Sequence, residues 1–145
     1  MIKTEKINLK STKQFEMIDI TEKVKSILER AGTTAGTVSV FSPHTTAAVR
    51  INHNEPLLIQ DIMKTIYRLA PIDINYGHDL FEIRTGVDAS ERSNGHAHVK
   101  DFLLGASEVI PIIDKKLALG QTQSIFLVEL DGARPRQVYV TINGE

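Results

Sequence analysis

The chain has 145 residues, 41% of them hydrophobic and 24% charged, and its 17 Lys+Arg against 18 Asp+Glu leave a formal charge of −1. A single domain of this length buries roughly two thirds of its unfolded surface, and so even a charge balance argues against a general nucleic-acid or anionic-membrane binder. Cysteine is absent, which excludes disulfides, thiolate metal sites and cysteine nucleophiles.

The opening MIKTEKINLK has no continuous apolar region, so it does not read as a secretory signal. No apolar run approaches the ~18 residues of a membrane span. The expected compartment is the cytoplasm. Ile2 to Leu9 and Gln14 to Ile20 read as strands around the polar turn Lys10-Ser11-Thr12-Lys13. Thr21 fits the N-cap of a helix that presents Val24, Ile27, Leu28 and Ala31 at helical spacing and stops at Gly32. Thr37 to Phe41 alternates as a third strand, and His44 to Asn52 reads as a fourth after the Ser42-Pro43 interruption.

That fourth strand sorts its side chains by the period of two. Thr45, Ala47, Val49 and Ile51 make one small, apolar face. His44, Thr46, Ala48, Arg50 and Asn52 make the other, too rich in donors and acceptors for an ordinary solvent face. It is expected to line a site or a subunit interface. Arg50 and Asn52 lie roughly 20 Å or more from His44 along an extended strand, at ~3.3 Å per residue, so they are assigned to packing or the subunit contact.

Asn54 is the expected cap of a second helix, with Pro56 in its first turn, a stripe of Leu58, Ile62, Met63, Ile66 and Leu69, and Pro71 as its end. Residues 71–96 carry turn formers, among them Asp73, Asn75, Gly77, Gly86, Ser90 and Asn94, with Asp79 to Arg84 as a short strand. A loop of this length in a compact domain is often functional. Ala97 to Leu104 reads as a short helix with Val99, Phe102 and Leu103 inward and Gly105 closing it. Strands follow at Glu108–Ile113, Leu117–Leu119, Gln123–Leu130 and Gln137–Ile142, the last two joined by Asp131-Gly132-Ala133-Arg134-Pro135. Without a βαβ rhythm, these elements predict a single α+β domain over 1–145, with a largely antiparallel sheet system, two to three helices, and sheet-on-sheet or sheet-on-helix packing.

Five histidines stand at 44, 53, 78, 96 and 98 without a short ligand motif. A site drawn from a strand, a loop and a helix would suit zinc or a similar ion. His96 and His98 cannot both point inward from a helix, and His98 is preferred because Asp101 and Phe102 would flank it. The plainer reading is surface or structural histidines, which spacing alone favours. Arg134 and Arg136 on one loop could clamp phosphate or carboxylate, or be a solvated pair. The helix start at Asn94-Gly95-His96, with Lys100 nearby, offers an anion site in which Gly95 would let a ligand approach the backbone. Ser/His/Asp catalysis has no support, since no G-x-S-x-G elbow exists.

The blocks SPHTTAAVRINHNEP, Tyr76-Gly77-His78, NGHAHVKDFLLGAS, Ile110-Pro111-Ile112, LALGQTQSIFLVE and ELDGARPR together resemble the YjbQ-like family. This family of uncharacterised proteins is also labelled secondary thiamine-phosphate synthase. The resemblance runs from about Thr4 to the end. It implies an α+β arrangement around a β-sandwich, assembly as a homotrimer, and motif histidines at His44, His78 and His98. Thr122 and Ala133 depart from the pattern, which usually has tryptophan and proline there.

The resemblance implies an enzyme acting on a small phosphorylated or anionic metabolite, with low-level thiamine phosphate synthesis as a secondary activity. On that reading a divalent metal, zinc first and magnesium second, would sit on His44, His78 and His98. Thr45, Thr46, Asn94, Lys100, Arg134 and Arg136 would hold phosphate, and Glu129 with His98 would serve acid/base chemistry. The alternative is a non-catalytic trimeric protein that binds metal or an anion.

Overall fold

The computed structural model describes residues 1–88 and 91–145; the turn assignment of Ser90 lies outside them. The chain runs β1 (Ile2–Lys10), β2 (Glu16–Asp19), α1 (Thr21–Ala31), β3 (Gly36–Phe41), β4 (Ala47–Asn52), α2 (Pro56–Leu69), a 3₁₀ turn (Gly77–Asp79), α3 (Gly95–Leu104), β5 (Ser107–Ile113), β6 (Lys116–Leu117), β7 (Ser124–Glu129) and β8 (Pro135–Gly144). Two antiparallel sheets form, a five-stranded one in the order β1-β8-β3-β5-β6 and a three-stranded one in the order β2-β7-β4. No helix among the described residues is long and apolar enough to cross a membrane.

The sandwich follows from strands with two different patterns. In β8 the alternation is strict, and Arg136, Val138, Val140 and Ile142 are buried. In β7 every residue from Ile125 to Glu129 is buried, because its sheet is covered on both faces. Ile125 and Leu127 face the main core with Val38, Val40, Ala47, Val49, Val138 and Val140, and α1 adds Val24, Ile27 and Leu28. Phe126 and Val128 face the other way, into a smaller core with Ala48, Ala97 and Leu130. The helix end at Gly32 has the left-handed φ of 69° that glycine tolerates.

Several element boundaries differ from expectation for identifiable reasons. Thr21 lies inside α1, and the Asp19 carboxylate receives its N–H at 2.9 Å and its hydroxyl at 2.6 Å. Glu55, not Asn54, caps α2, its carboxylate accepting the N–H of Leu57 and, at 3.2 Å, that of Leu58. Asn54 donates instead to Asp19 at 2.9 Å. Only Ile66 of the α2 stripe is buried, and Leu69 is 65% exposed. The Asp79–Arg84 segment forms the end of a 3₁₀ turn and a further hydrogen-bonded turn, the N–H groups of Ile83 and Arg84 both donating to the Leu80 carbonyl, rather than a strand.

The largest reversal is α3. Val99, Phe102 and Leu103, expected inward, are 40%, 85% and 60% exposed, whereas Gly95, His96, Ala97 and Lys100 are buried. Close approach explains the choice. A Cβ on Gly95 would stand 2.6 Å from the Tyr76 Cβ, and Ala97 packs with Ala48 and Phe126; no room remains for a Phe on that side. Lys100 is tolerated there because its Nζ sits 2.6 Å from His96 Nδ1 and 4.0 Å from the centre of the Tyr67 ring.

Phe126 anchors the smaller core from full burial. Phe126→Ala is expected to lower unfolding free energy by about 3–5 kcal/mol. The same truncation at Leu57, which is 67% exposed, should stay within about 0.5 kcal/mol, both read by urea denaturation.

Candidate functional site

Where β3 ends, Pro43 cannot supply the N–H that would continue its ladder with β8. Ser42 turns the chain instead: its Oγ donates to the Ala47 carbonyl at 2.5 Å and accepts the His44 N–H at 3.3 Å. His44, Thr45 and Thr46 therefore precede β4 rather than belong to it. The His44 Nε2 then accepts the N–H of Gln137 at 2.9 Å. The last β3–β8 pair is Phe41 with Tyr139, so the imidazole occupies the place where a strand carbonyl would have come next.

This loop forms one wall of an open pocket of about 370 Å³, lined by Pro43, His44, Thr45, Thr46, His78, Glu91, Asn94, His98, Arg134 and Arg136. His78 comes from the 3₁₀ turn and His98 from α3, their rings edge to face with centroids 4.5 Å apart. Burial lowers the pKa of His98, with His78 adding to the effect. Burial, then the Arg136 charge, lowers that of His44. Both rings are thus biased toward the neutral form. A second cavity of about 330 Å³ between α1 and the β5–β6 hairpin is lined by Lys25, Leu28, Glu29, Lys115, Lys116 and Leu117. It gathers none of the histidines.

The floor is a buried ion pair. Glu129 is fully buried and accepts Arg136 Nε at 2.8 Å, Arg136 Nη2, the Ser11 hydroxyl at 2.6 Å, and the N–H groups of Leu130 and Asp131 at 3.0 Å each. Burial pushes its pKa up, but the Arg136 and Ser11 hydrogen bonds outweigh that and leave it lowered. A carboxylate held this way is a poor proton carrier, so the acid/base role expected of Glu129 gives way to a positioning one. Arg136 is likewise occupied: besides Glu129, its Nη2 donates to the Thr46 carbonyl at 3.1 Å and hydroxyl at 2.8 Å. The solvated-loop reading of Arg136 is corrected by its 3% exposure.

The remaining expected residues separate into two groups. Arg134 reaches the pocket, with Nη2 3.1 Å from Asp131 and a buried Nε that has no partner among the described residues. Thr45 and Thr46 line the pocket as expected. Asn94 also lines it, but its amide is engaged by His78 at 3.1 Å and Asp131 at 2.8 Å. Lys100 is not at the pocket. It is fully buried against His96 and Tyr67 on another side of α3, and burial lowers its pKa to about 8. The anion site expected at the α3 N-terminus is filled by the protein itself, because the Asp79 carboxylate accepts the Gly95 N–H at 3.0 Å. Asp101 does not bond the His98 ring; its Oδ1 is buried without a partner among the described residues, and burial raises its pKa to about 7. Arg50, half exposed, pairs with Glu108 at 2.6 Å and takes no part in the pocket lining.

The three-histidine metal assignment does not fit these residues. Among the described residues no group of three or more His, Cys, Asp or Glu is arranged to hold a metal ion. The Nε2 lone pair of His44 is taken by the Gln137 N–H, which puts the ring proton on Nδ1 and leaves neither nitrogen free to ligate.

Sequence reasoning missed Ser11, Glu91, Arg92 and the Gln137 N–H. Glu91 lines the pocket and pairs with Arg84 at 2.7 Å; Arg92 donates to the Asp131 carbonyl at 3.1 Å. The nearest signal was the density of Arg, Glu, Ser and Asn within the irregular 71–96 segment.

Fold and pocket define a two-sheet α+β protein with a histidine- and arginine-lined pocket between the ends of β3, β7 and α3. The family model described as UPF0047 protein YjbQ-like matches residues 5–145. The chain belongs to that family. It is 37% identical over 142 residues to a UPF0047 protein of Methanothermobacter thermautotrophicus, covering 98% of this chain and 92% of that one. It is 34% identical over 145 residues to the UPF0047 protein YugU of Bacillus subtilis, covering 99% and 100%. Among solved structures, a YbjQ-like protein of unknown function from Sulfolobus solfataricus superposes with a TM-score of 0.90 at 35% identity, over 100% of this chain and 99% of that one.

Two substitutions test the electrostatics. Glu129→Gln leaves Arg136 buried without its counter-charge and should cost about 3–5 kcal/mol at pH 7. Because the Glu129 pKa is lowered in the fold, its contribution is whole above the ordinary value of about 4.5 and is lost as pH falls through the lowered one; the variant's stability should therefore vary less across that acid range. Asp101 has the opposite sign. Its raised pKa makes the folded state lose stability as pH climbs from about 3.8 to about 7. Asp101→Asn should stabilise the protein at pH 8 and have little effect near pH 4, measured by thermal unfolding.

Proposed function

We propose that the protein binds a small phosphorylated or otherwise anionic metabolite at His44, His78, His98, Thr45 and Arg134, and that His98 carries a proton in its conversion. The observation behind this reading is Arg134, which lines the same pocket as three imidazoles and whose buried Nε lacks a partner among the described residues. An unpaired buried donor favours a ligand that supplies an acceptor. The carboxylates around it are already matched by cations, Glu91 by Arg84 and Asp131 by Arg92 and Arg134, so they do not repel an anion at full strength. A metal has no part in this reading. Low-level thiamine phosphate formation is one reaction of the proposed class.

The same reading includes self-association, as the family resemblance implies for a homotrimer. Its support is the α3 face of Val99, Phe102 and Leu103, which this protomer leaves in solvent.

Calorimetry with inorganic phosphate and pyrophosphate tests the binding. Arg134→Ala is expected to weaken binding at least tenfold, and His98→Ala to abolish rescue of a thiamine-requiring bacterial strain while the fold is retained. Phosphate binding without rescue, even by the wild type, leaves the non-catalytic anion-binding alternative. For the assembly, light scattering should give a trimer for the wild type and monomers for Phe102→Glu.

A further inference from the structure

Two imidazoles of the pocket are held by partners of opposite sense. The Gln137 N–H points at His44 Nε2 at 2.9 Å. A backbone N–H only donates, so Nε2 accepts, and the neutral ring carries its proton on Nδ1. His78 Nε2 stands 3.1 Å from Asn94 Oδ1. The Asn94 amide cannot be turned round, because its Nδ2 donates at 2.8 Å to Asp131 Oδ2. That carboxylate also faces Arg134 at 3.1 Å and Arg92 at 3.5 Å; between two guanidiniums it acts as an acceptor. The amide oxygen must then face His78, whose Nε2 donates and whose lone pair lies on Nδ1. In both rings the hydrogen bond that fixes the tautomer runs through Nε2, so Nδ1 is the atom left to meet a ligand.

We propose that His44 and His78 are locked in opposite tautomers, one offering an N–H and the other a lone pair, so that the pocket selects a protonated oxyanion such as hydrogen phosphate over an unprotonated one such as sulfate. Asn94, Asp131 and the Gln137 N–H are the positioning groups. Hydrogen phosphate supplies an O–H for His78 Nδ1 and oxyanions for His44 Nδ1–H and Arg134. Sulfate is an acceptor only, and sets an oxygen lone pair against that of His78. Sites that bond a ligand's proton reject analogues lacking it, because a buried group is left unpaired. The selectivity rests on the anion-binding reading above; the tautomers do not.

The test uses the full chain labelled with ¹⁵N-histidine, at about pH 8.5, above the ordinary imidazole value of ~6.5. Long-range ¹H–¹⁵N spectra, assigned with His44→Gln and His78→Gln, should show pyridine-type Nε2 for His44 and pyridine-type Nδ1 for His78. The same tautomer in both rings overturns the inference, even where phosphate binds and the functional reading stands. Titrations at that pH should show phosphate binding at least tenfold tighter than sulfate; equal binding, or a preference for sulfate, overturns the selectivity. Opposite tautomers with neither anion bound overturn the functional reading and the selectivity with it. Asp131→Asn frees the Asn94 amide to turn, and is expected to mix the tautomers of His78, spare those of His44 and narrow the phosphate preference. Should that variant not fold, the wild-type spectra still decide.

Discussion

The pair of Glu129 and Arg136 holds the rest of the molecule in register. Taking both charges out of water costs several kcal/mol per ion. That cost is offset only because each lone pair and N–H in contact finds a partner: Ser11 from the turn after β1, the Leu130 and Asp131 N–H groups after β7, and Thr46 before β4. Four separate stretches of chain are thereby drawn to one point. The loop bearing Arg134 leaves from that point, and the His44–Thr46 loop arrives at it. Gly132 shows how closely the Arg134 loop meets the turn after β1, since a Cβ there would lie 2.0 Å from the Lys13 carbonyl.

Around this floor the protein divides its polar residues by what they do to one another. On the pocket side of α3, His98 and His78 keep their rings half-covered and close together. On another side, Lys100 and His96 share a contact of 2.6 Å in a place closed to solvent. Burial opposes charge on both members, and the Lys100 ammonium further opposes it on His96. One short helix thus contributes His98 to a polar pair that can meet a ligand, and carries a second pair that can only support packing.

The strands were legible because side-chain alternation is a strong signal when one face is core; β1, β3, β5 and β8 lie close to where their patterns place them. The two-sided burial of β7 was legible for the same reason, in the unbroken run Ile125-Phe126-Leu127-Val128. Histidines 44, 78 and 98 were also traceable to one pocket, through motif resemblance rather than spacing. What was hidden depended on distance between backbones. Apolar content pointed Phe102 and Leu103 inward, but Gly95 and Ala97 fit the space that α3 has, and the larger residues were turned out. The Asp79 carboxylate at the start of α3 and the Gln137 N–H at His44 are contacts between segments far apart in sequence, and no local pattern announces them.

His44 also bears on how the larger sheet treats its own rim. Beyond Tyr139 the β8 backbone has lost β3 as a neighbour, and a bare N–H on a strand is a template for a foreign strand. The imidazole covers that donor at Gln137. A side chain that faces the pocket therefore also seals a seam against intermolecular strand addition, so its loss would register in solubility as well as in chemistry.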